Sequence, residues 1–397
     1  MRPNAPNSAL LGAFWFGIQM VWGALLGISL QARSIELVPH RPLAAYALLA
    51  VLGACVAAVT QIAAGILSDR RRLQGSLRLE FYAAGAIAGA GAVFYFYVAP
   101  AFWQLVAAFM ILQLALNVAI GPYQAAIPDF IDPKKLGGAS AWMAALQSLG
   151  NVAGVLVAAI AKNAAAAGAT IGAALLLTCA VTGVHVRKIA PRDEAAAPLR
   201  FTRTFIDLFI SRALVYAGFY TLLGYLYFYV ARMMQGDAKT HTGLLLLLFL
   251  VAAAAGAMAA GKPANIFDRK DVATAGGAVF IIALAGFLFA AVSGEIVGAA
   301  LLAGFAWGMF LTADWALGCT FLPRGALATA MGIWNLALLI PQIAAPAIVT
   351  GVLTSLRALQ STDAPRIAFG IALIEVLAGI LWIRRLPASR PGVHDGP

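Results

Sequence analysis

The chain has 397 residues, 62% of them hydrophobic and 11% charged, with a formal net charge of +11 at pH 7. Soluble domains carry about 25% charged residues, so an ordinary water-soluble fold is excluded. The apolar runs are continuous and about twice the ten residues of a barrel strand, which excludes a transmembrane β-barrel.

A hydrocarbon core about 30 Å thick calls for roughly 20 apolar residues per spanning helix. The first run that meets this is 9–32, with Trp15, Gln19, Trp22 and Gly23 on one helical face. It has spanning length and no clear cleavage site after it, so it reads as a retained helix. The second run, 43–67, leads into GILSDRRR, with Gly65, Asp69 and Arg70. The third, 81–99, holds Gly85 and Gly89; the fifth, 138–160, holds Gly150 and Gly154. Such G-x-x-x-G pairs let helices approach closely. The fourth, 101–127, spaces Gln113, Asn117, Gly121 and Gln124 along one face, and the fifth adds Gln147 and Asn151 one turn apart. The sixth is 164–186.

The longest polar interruption follows at 187–205. It is read as a linker between an N-terminal bundle of six helices, 1–186, and a C-terminal bundle of six, 206–397. The seventh run, 206–232, carries Arg212, Tyr216 and Tyr220 at steps of four. The eighth, 242–262, leads into ANIFDRKD, with Ala264, Asp268 and Arg269. The ninth is 272–292. The tenth, 296–321, holds Trp307 and Asp314; the eleventh, 326–352, holds Asn335 and Gln342. The twelfth, 366–384, carries Glu375 near its middle. The expected fold class is an all-α membrane protein with twelve transmembrane helices.

Counted over alternate loops, 19 Lys and Arg fall on one side and seven on the other. This is the positive-inside signal, so both termini are expected in the cytoplasm and the protein in the cytoplasmic (inner) membrane. The basic charge then reports topology and gives no reason to expect nucleic acid. Cys55, Cys179 and Cys319 lie far apart within spans, with neither a disulfide framework nor metal spacing. No G-x-x-x-x-G-K-[ST] loop and no membrane-face cluster of catalytic His, Asp or Glu occurs. No cofactor, no metal and no enzyme activity are expected.

The two halves echo each other. GILSDRRR and ANIFDRKD both read small-x-x-x-Asp-Arg, each after the second span of its half. PYQAAIPDFIDP and TADWALGCTFLP both end in a proline at a loop, with Gln124 opposite Asp314 and Pro133 opposite Pro323. Two six-helix repeats of the same orientation are a transporter plan. At this point the chain resembles the major facilitator superfamily, whose loop motif runs Gly-x-x-x-Asp-Arg-x-Gly-Arg-Arg/Lys. Gly65, Asp69 and Arg70 match it, while Arg72, Leu73 and Gln74 depart from its later positions. PYQAAIPDFIDPKKLGGASAWMAALQSLGN and GMFLTADWALGCTFLPRGALATAMGIWNLALLIPQ look like its sucrose:proton symporter-like and glycoside/pentoside/hexuronide:cation symporter branches.

The resemblance implies two pseudo-symmetric bundles, with helices 1, 4, 7 and 10 lining a central cavity and helices 3, 6, 9 and 12 outside. It also implies that Asp69, Arg70, Asp268 and Arg269, expected in cytoplasmic loops, make gate contacts. Candidate cavity residues are Gln19, Trp22, Gln113, Asn117, Gln147, Asn151, Tyr216, Tyr220, Trp307, Asn335 and Gln342. Amides, phenols and aromatic faces suit a neutral, hydroxyl-rich solute; the same amides serve equally well to bond helix to helix. Asp314 and Arg212 lie at similar short distances from the same side, so they are expected to pair, either as a fixed strut or as a pair that opens during a cycle. Glu375 is a candidate proton site or a locally hydrogen-bonded glutamate. The expected function is secondary transport of a small neutral solute, a sugar or glycoside, with a proton or sodium ion, by a monomer. The alternatives are an exporter of amphipathic compounds and, in another class, a polytopic membrane enzyme or receptor.

Overall fold

The computed structural model describes residues 5–192, 200–323, 326–357, 361 and 363–389. Part of the expected linker, 193–199, lies outside them. Among the described residues twelve helices are long and apolar enough to cross a membrane. They are α1 (Ser8–Leu37), α2 (Leu48–Leu73), α3 (Leu79–Val98), α4 (Phe102–Phe130), α5 (Pro133–Ile160) and α6 (Ala164–Val186). The rest are α7 (Arg203–Met233), α8 (Thr240–Ile266), α9 (Arg269–Phe289), α10 (Ser293–Phe321), α11 (Leu327–Ser355) and α12 (Ala364–Ile383). Each of the twelve expected runs falls on one of them. In lipid a helix is favoured because it satisfies its own backbone polar groups. Large apolar side chains accordingly face outward, among them Phe289, Ile160 and Val59 at 83%, 75% and 71% exposure.

Helix ends follow local chemistry. Asn7, Asn163, Thr202 and Asp268 each cap a helix N-terminus with a side-chain oxygen. α2 runs further than its apolar stretch because Arg70, Arg71 and Arg72 sit in its last turn, where cations suit the helix dipole. Asp69 and Arg70 therefore lie on a helix end and not in the expected loop. Asp268 and Arg269 likewise form the cap and first residue of α9. α4 breaks at Ala125, between helical segments Phe102–Gln124 and Ala126–Phe130. Pro128 has no N–H to offer the Gln124 carbonyl, which accounts for the break.

The chain forms two compact units. One comprises 1–132, 146–200 and 322–333; the other comprises 133–145, 201–321 and 334–397. The main cut falls inside the expected linker, but the starts of α5 and α11 group with the opposite sequence half. In the first unit α1 packs on α6, α2 on α4, and α3 on both α4 and α6. In the second, α7 packs on α12, α8 on α10, and α9 on both α10 and α12. The pairings repeat six helices later, so the sequence echo is a structural repeat. Gly150 and Gly154 bring α5 onto α1, where any Cβ would overlap the carbonyl oxygens of Phe16 and Met20.

Candidate functional site

In the first unit the amide stripes bond to each other across helices. Asn117 donates to the Gln113 side-chain oxygen at 3.2 Å and to its carbonyl at 2.8 Å. Gln61 of α2 donates to Asn117 at 3.3 Å. Asn151 donates to Gln19 at 3.2 Å and to the Gln147 carbonyl at 3.0 Å, joining α5 to α1. Gln19, Asn151 and Trp22 remain half-buried, whereas Gln113, Asn117 and Gln147 are buried. The Gln147 amide nitrogen and the Gln124 amide oxygen are buried with no hydrogen-bond partner.

In the second unit Arg212 and Asp314 form an ion pair, each 1% exposed. α7 and α10 supply one charge each. The guanidinium also donates to the Tyr216 hydroxyl at 3.3 Å and lies 3.7 Å above the Trp334 ring and 4.7 Å from Tyr216. A weakly hydrated, planar cation over aromatic faces is the form in which arginine is least costly to bury. Trp334 is fully buried and edges onto Trp315 at 5.4 Å. Gly318, one turn beyond Asp314, makes the notch for this indole: a Cβ there would lie 2.7 Å from its ring.

Beside the pair stands an aromatic group. Trp307 stacks on Phe219 at 3.9 Å and meets Tyr216 edge-on at 4.9 Å. Tyr220, half-buried, lies 6.2 Å from Tyr216. On α11, Asn335 is half-buried and Gln342 exposed. Glu375 is half-buried and accepts a hydrogen bond from Thr221 of α7 at 3.0 Å. This is the partner the sequence could not name.

Asp69 caps α11. Its carboxylate accepts the backbone N–H groups of Ala328 at 3.1 Å and Thr329 at 2.8 Å, and the Thr329 hydroxyl at 2.7 Å. Anions are favoured at a helix N-terminus by its free N–H groups and dipole. Gly65, one turn earlier, allows the approach, since a Cβ there would sit 2.8 Å from the Ala328 carbonyl oxygen. Arg78 bridges Asp69 at 3.0 Å and Asp129 at 2.9 Å and also donates to Ser68. It is 2% exposed and has φ +63°, in the left-handed region that non-glycine residues rarely occupy. Burial opposes its charge, but the Asp129 and Asp69 carboxylates outweigh that and hold the guanidinium above the usual arginine range. Arg70, the motif's own basic residue, is exposed.

The second repeat departs from this pattern. Asp268 accepts the N–H of Lys270 at 3.1 Å and the Ser389 hydroxyl at 2.7 Å, so it holds its own helix and the segment after α12. Arg269 reaches the Pro133 carbonyl and the Thr320 hydroxyl. The α5 start is met instead by Asn265, which accepts the Gly138 N–H at 3.3 Å. The small residue has moved as well: Ala264 stands where the first repeat has Gly65, and Gly137 opposite it supplies the space, with a built Cβ 2.6 Å from that of Ala264. Gly65→Val and Gly137→Val are each expected to cost about 1–3 kcal/mol by overpacking. Thermal unfolding in detergent checks this, with Gly91→Val, where nothing lies within 4 Å, unchanged.

Sequence reasoning missed Arg78, Asp129, Trp334 and Gly318. Asp129 was visible as the carboxylate within PYQAAIPDF. Trp334 sits beside the candidate Asn335, and only the fold shows that its ring turns to Arg212.

Residues 8–346 match the family model described as Major Facilitator Superfamily. Similar solved structures include the human organic anion transporter MFSD10 (TETRAN), at 13% identity and TM-score 0.72 over 95% of this chain and 98% of that one. Another is the proton:xylose symporter XylE bound to 6-bromo-6-deoxy-D-glucose, at 13% and 0.72 over 97% and 96%. A third is a bacterial homologue of the iron transporter ferroportin in its outward-facing state, at 16% and 0.68 over 96% and 98%. No curated protein sequence matches the chain. At these identities the structural likeness carries the fold alone, while the family model covers most of the sequence. The chain belongs to the Major Facilitator Superfamily and is one of its multi-pass membrane transporters.

Proposed function

We propose that this protein is a secondary active transporter of a small neutral polar solute, a sugar or glycoside. It works by alternating access in the cytoplasmic membrane, with both termini in the cytoplasm, as a monomer coupled to a proton or sodium ion. One observation carries the substrate class: the candidate cavity side chains are amides, phenols and indoles, and Arg212 is already neutralised by Asp314. A carrier of strongly anionic solutes needs a cation available to its substrate. In the cycle the Arg212–Asp314 pair and the Asp69 cap are the elements that open and re-form, and Glu375 is a second candidate for proton binding. Gln113 and Asn117 are buried, whereas Gln19, Trp22 and Asn151 are half-buried and are the first-unit amide and aromatic groups best placed to meet solute.

The stacked Phe219 and Trp307, with Tyr216 edge-on to the indole, favour a second reading, an exporter of amphipathic compounds, since such a group of rings is broadly apolar. Proteoliposomes with an imposed proton or sodium gradient, tested with labelled mono- and disaccharides and with amphipathic dyes, separate the two. Gradient-driven sugar accumulation is expected. Dye movement with no sugar uptake under either gradient overturns the sugar reading.

A further inference from the structure

We infer that Trp334 is a positioning residue that ties the Arg212–Asp314 ion pair to the Asp69 cap on α11. The inference deepens the gating roles proposed above and rests on them. α11 is a continuous helix from Leu327 to Ser355. Its first residues, through Ile333, group with the first unit, and Trp334 is the first that groups with the second. Trp334 lies five positions after Thr329, roughly 7.5 Å along the axis at 1.5 Å per residue. At one end of this short rod the backbone N–H groups of Ala328 and Thr329 are held by Asp69. At the other end the Trp334 indole is held between Arg212 and the notch at Gly318.

The indole is seated by shape and charge, not by a hydrogen bond. Its N–H is buried without a partner, as is the Arg212 Nε–H. A fully buried tryptophan usually satisfies its N–H. Here the ring instead lies flat under a guanidinium whose position depends on Asp314. When the Asp314 charge is lost, to a proton or a competing group, Arg212 loses its anchor and the indole loses its upper wall. Helical turns are stiff, so displacement of Trp334 reaches Thr329 and strains the cap. Linkage makes the effect mutual: whatever frees the start of α11 from Asp69 also weakens the hold on Arg212. The packed side chain has two defined walls, which gives the coupling a physical path.

Hydrogen exchange of the full-length protein in lipid nanodiscs tests this, read at the amides of Ala328 and Thr329. Asp314→Asn is expected to speed their exchange at least fivefold. In a Trp334→Leu background the same substitution is expected to change it less than twofold, while Trp334→Phe, which keeps a ring beneath the guanidinium, retains the full response. Gly318→Ala displaces the ring from its other side and is expected to weaken the response likewise, so the test does not depend on one variant folding. A merely structural tryptophan would shift all variants by a constant factor and leave the Asp314 response intact. That outcome, or no response to Asp314→Asn in the wild-type background, overturns the inference. Failure of the gating reading itself shows separately, as unaltered transport by Asp69→Ala with the exchange coupling still present.

Discussion

Asp314→Leu is expected to destabilise the second unit by about 3–5 kcal/mol, because it leaves the Arg212 charge buried without its counter-ion. Arg212 is 1% exposed, so water cannot replace the lost carboxylate. Its remaining contacts, the Tyr216 hydroxyl and the Trp334 face, are weaker than a charge-assisted bond. Asp314→Asn keeps the shape and one acceptor oxygen, so its folding penalty is smaller and membrane insertion is retained. Its transport rate is nevertheless expected to fall at least tenfold, because an amide can neither hold nor release Arg212 as a carboxylate does. Thermal unfolding in detergent and uptake into proteoliposomes read the two effects separately. Asn-substituted protein with wild-type uptake would remove Asp314 from both gating and coupling.

Asp69→Ala is expected to cut transport at least tenfold while leaving solute affinity within a few-fold of wild type. The substitution removes three hydrogen bonds to the start of α11 and one of the two carboxylates on Arg78. Loss of a helix cap alone costs about 0.5–2 kcal/mol. A loss of about 2 kcal/mol from one conformation changes a two-state ratio by about 30-fold, enough to strand the cycle in the other state. Thr329→Val removes only the hydroxyl bond and is expected to have a much smaller effect. Initial uptake rates measured over a range of solute concentrations distinguish a lost rate from a lost affinity. A changed affinity at an unchanged rate would place Asp69 in solute binding instead.

Much of the fold was legible because membrane physics is one-dimensional. A run of about 20 apolar residues can be little other than a spanning helix. The repeat was legible in two short echoes, and the Arg212–Asp314 pair in two charges at matching depth from the same side. What failed to show was the direction of individual side chains. Asp268 occupies the place of Asp69 in the echo, yet Ser389 and Lys270 claim its carboxylate. Nothing in ANIFDRKD signals a serine 121 residues further on. The amide stripes left cavity lining and helix bonding open; in the structure Asn117 donates to Gln113 and accepts from Gln61 of α2. Arg78 looked like one more loop charge. Its role depends on a left-handed backbone that no propensity predicts for arginine.

The most direct test of the account is transport by the double variant Arg212→Leu with Asp314→Leu. Replacing both members of a buried ion pair with apolar residues is often neutral or stabilising, so this protein is expected to fold, insert and melt at or above the wild-type temperature. If the pair works by opening and re-forming, uptake into proteoliposomes is abolished despite that stability. Wild-type uptake by the stable double variant would show that the pair is a strut, and would contradict the central claim.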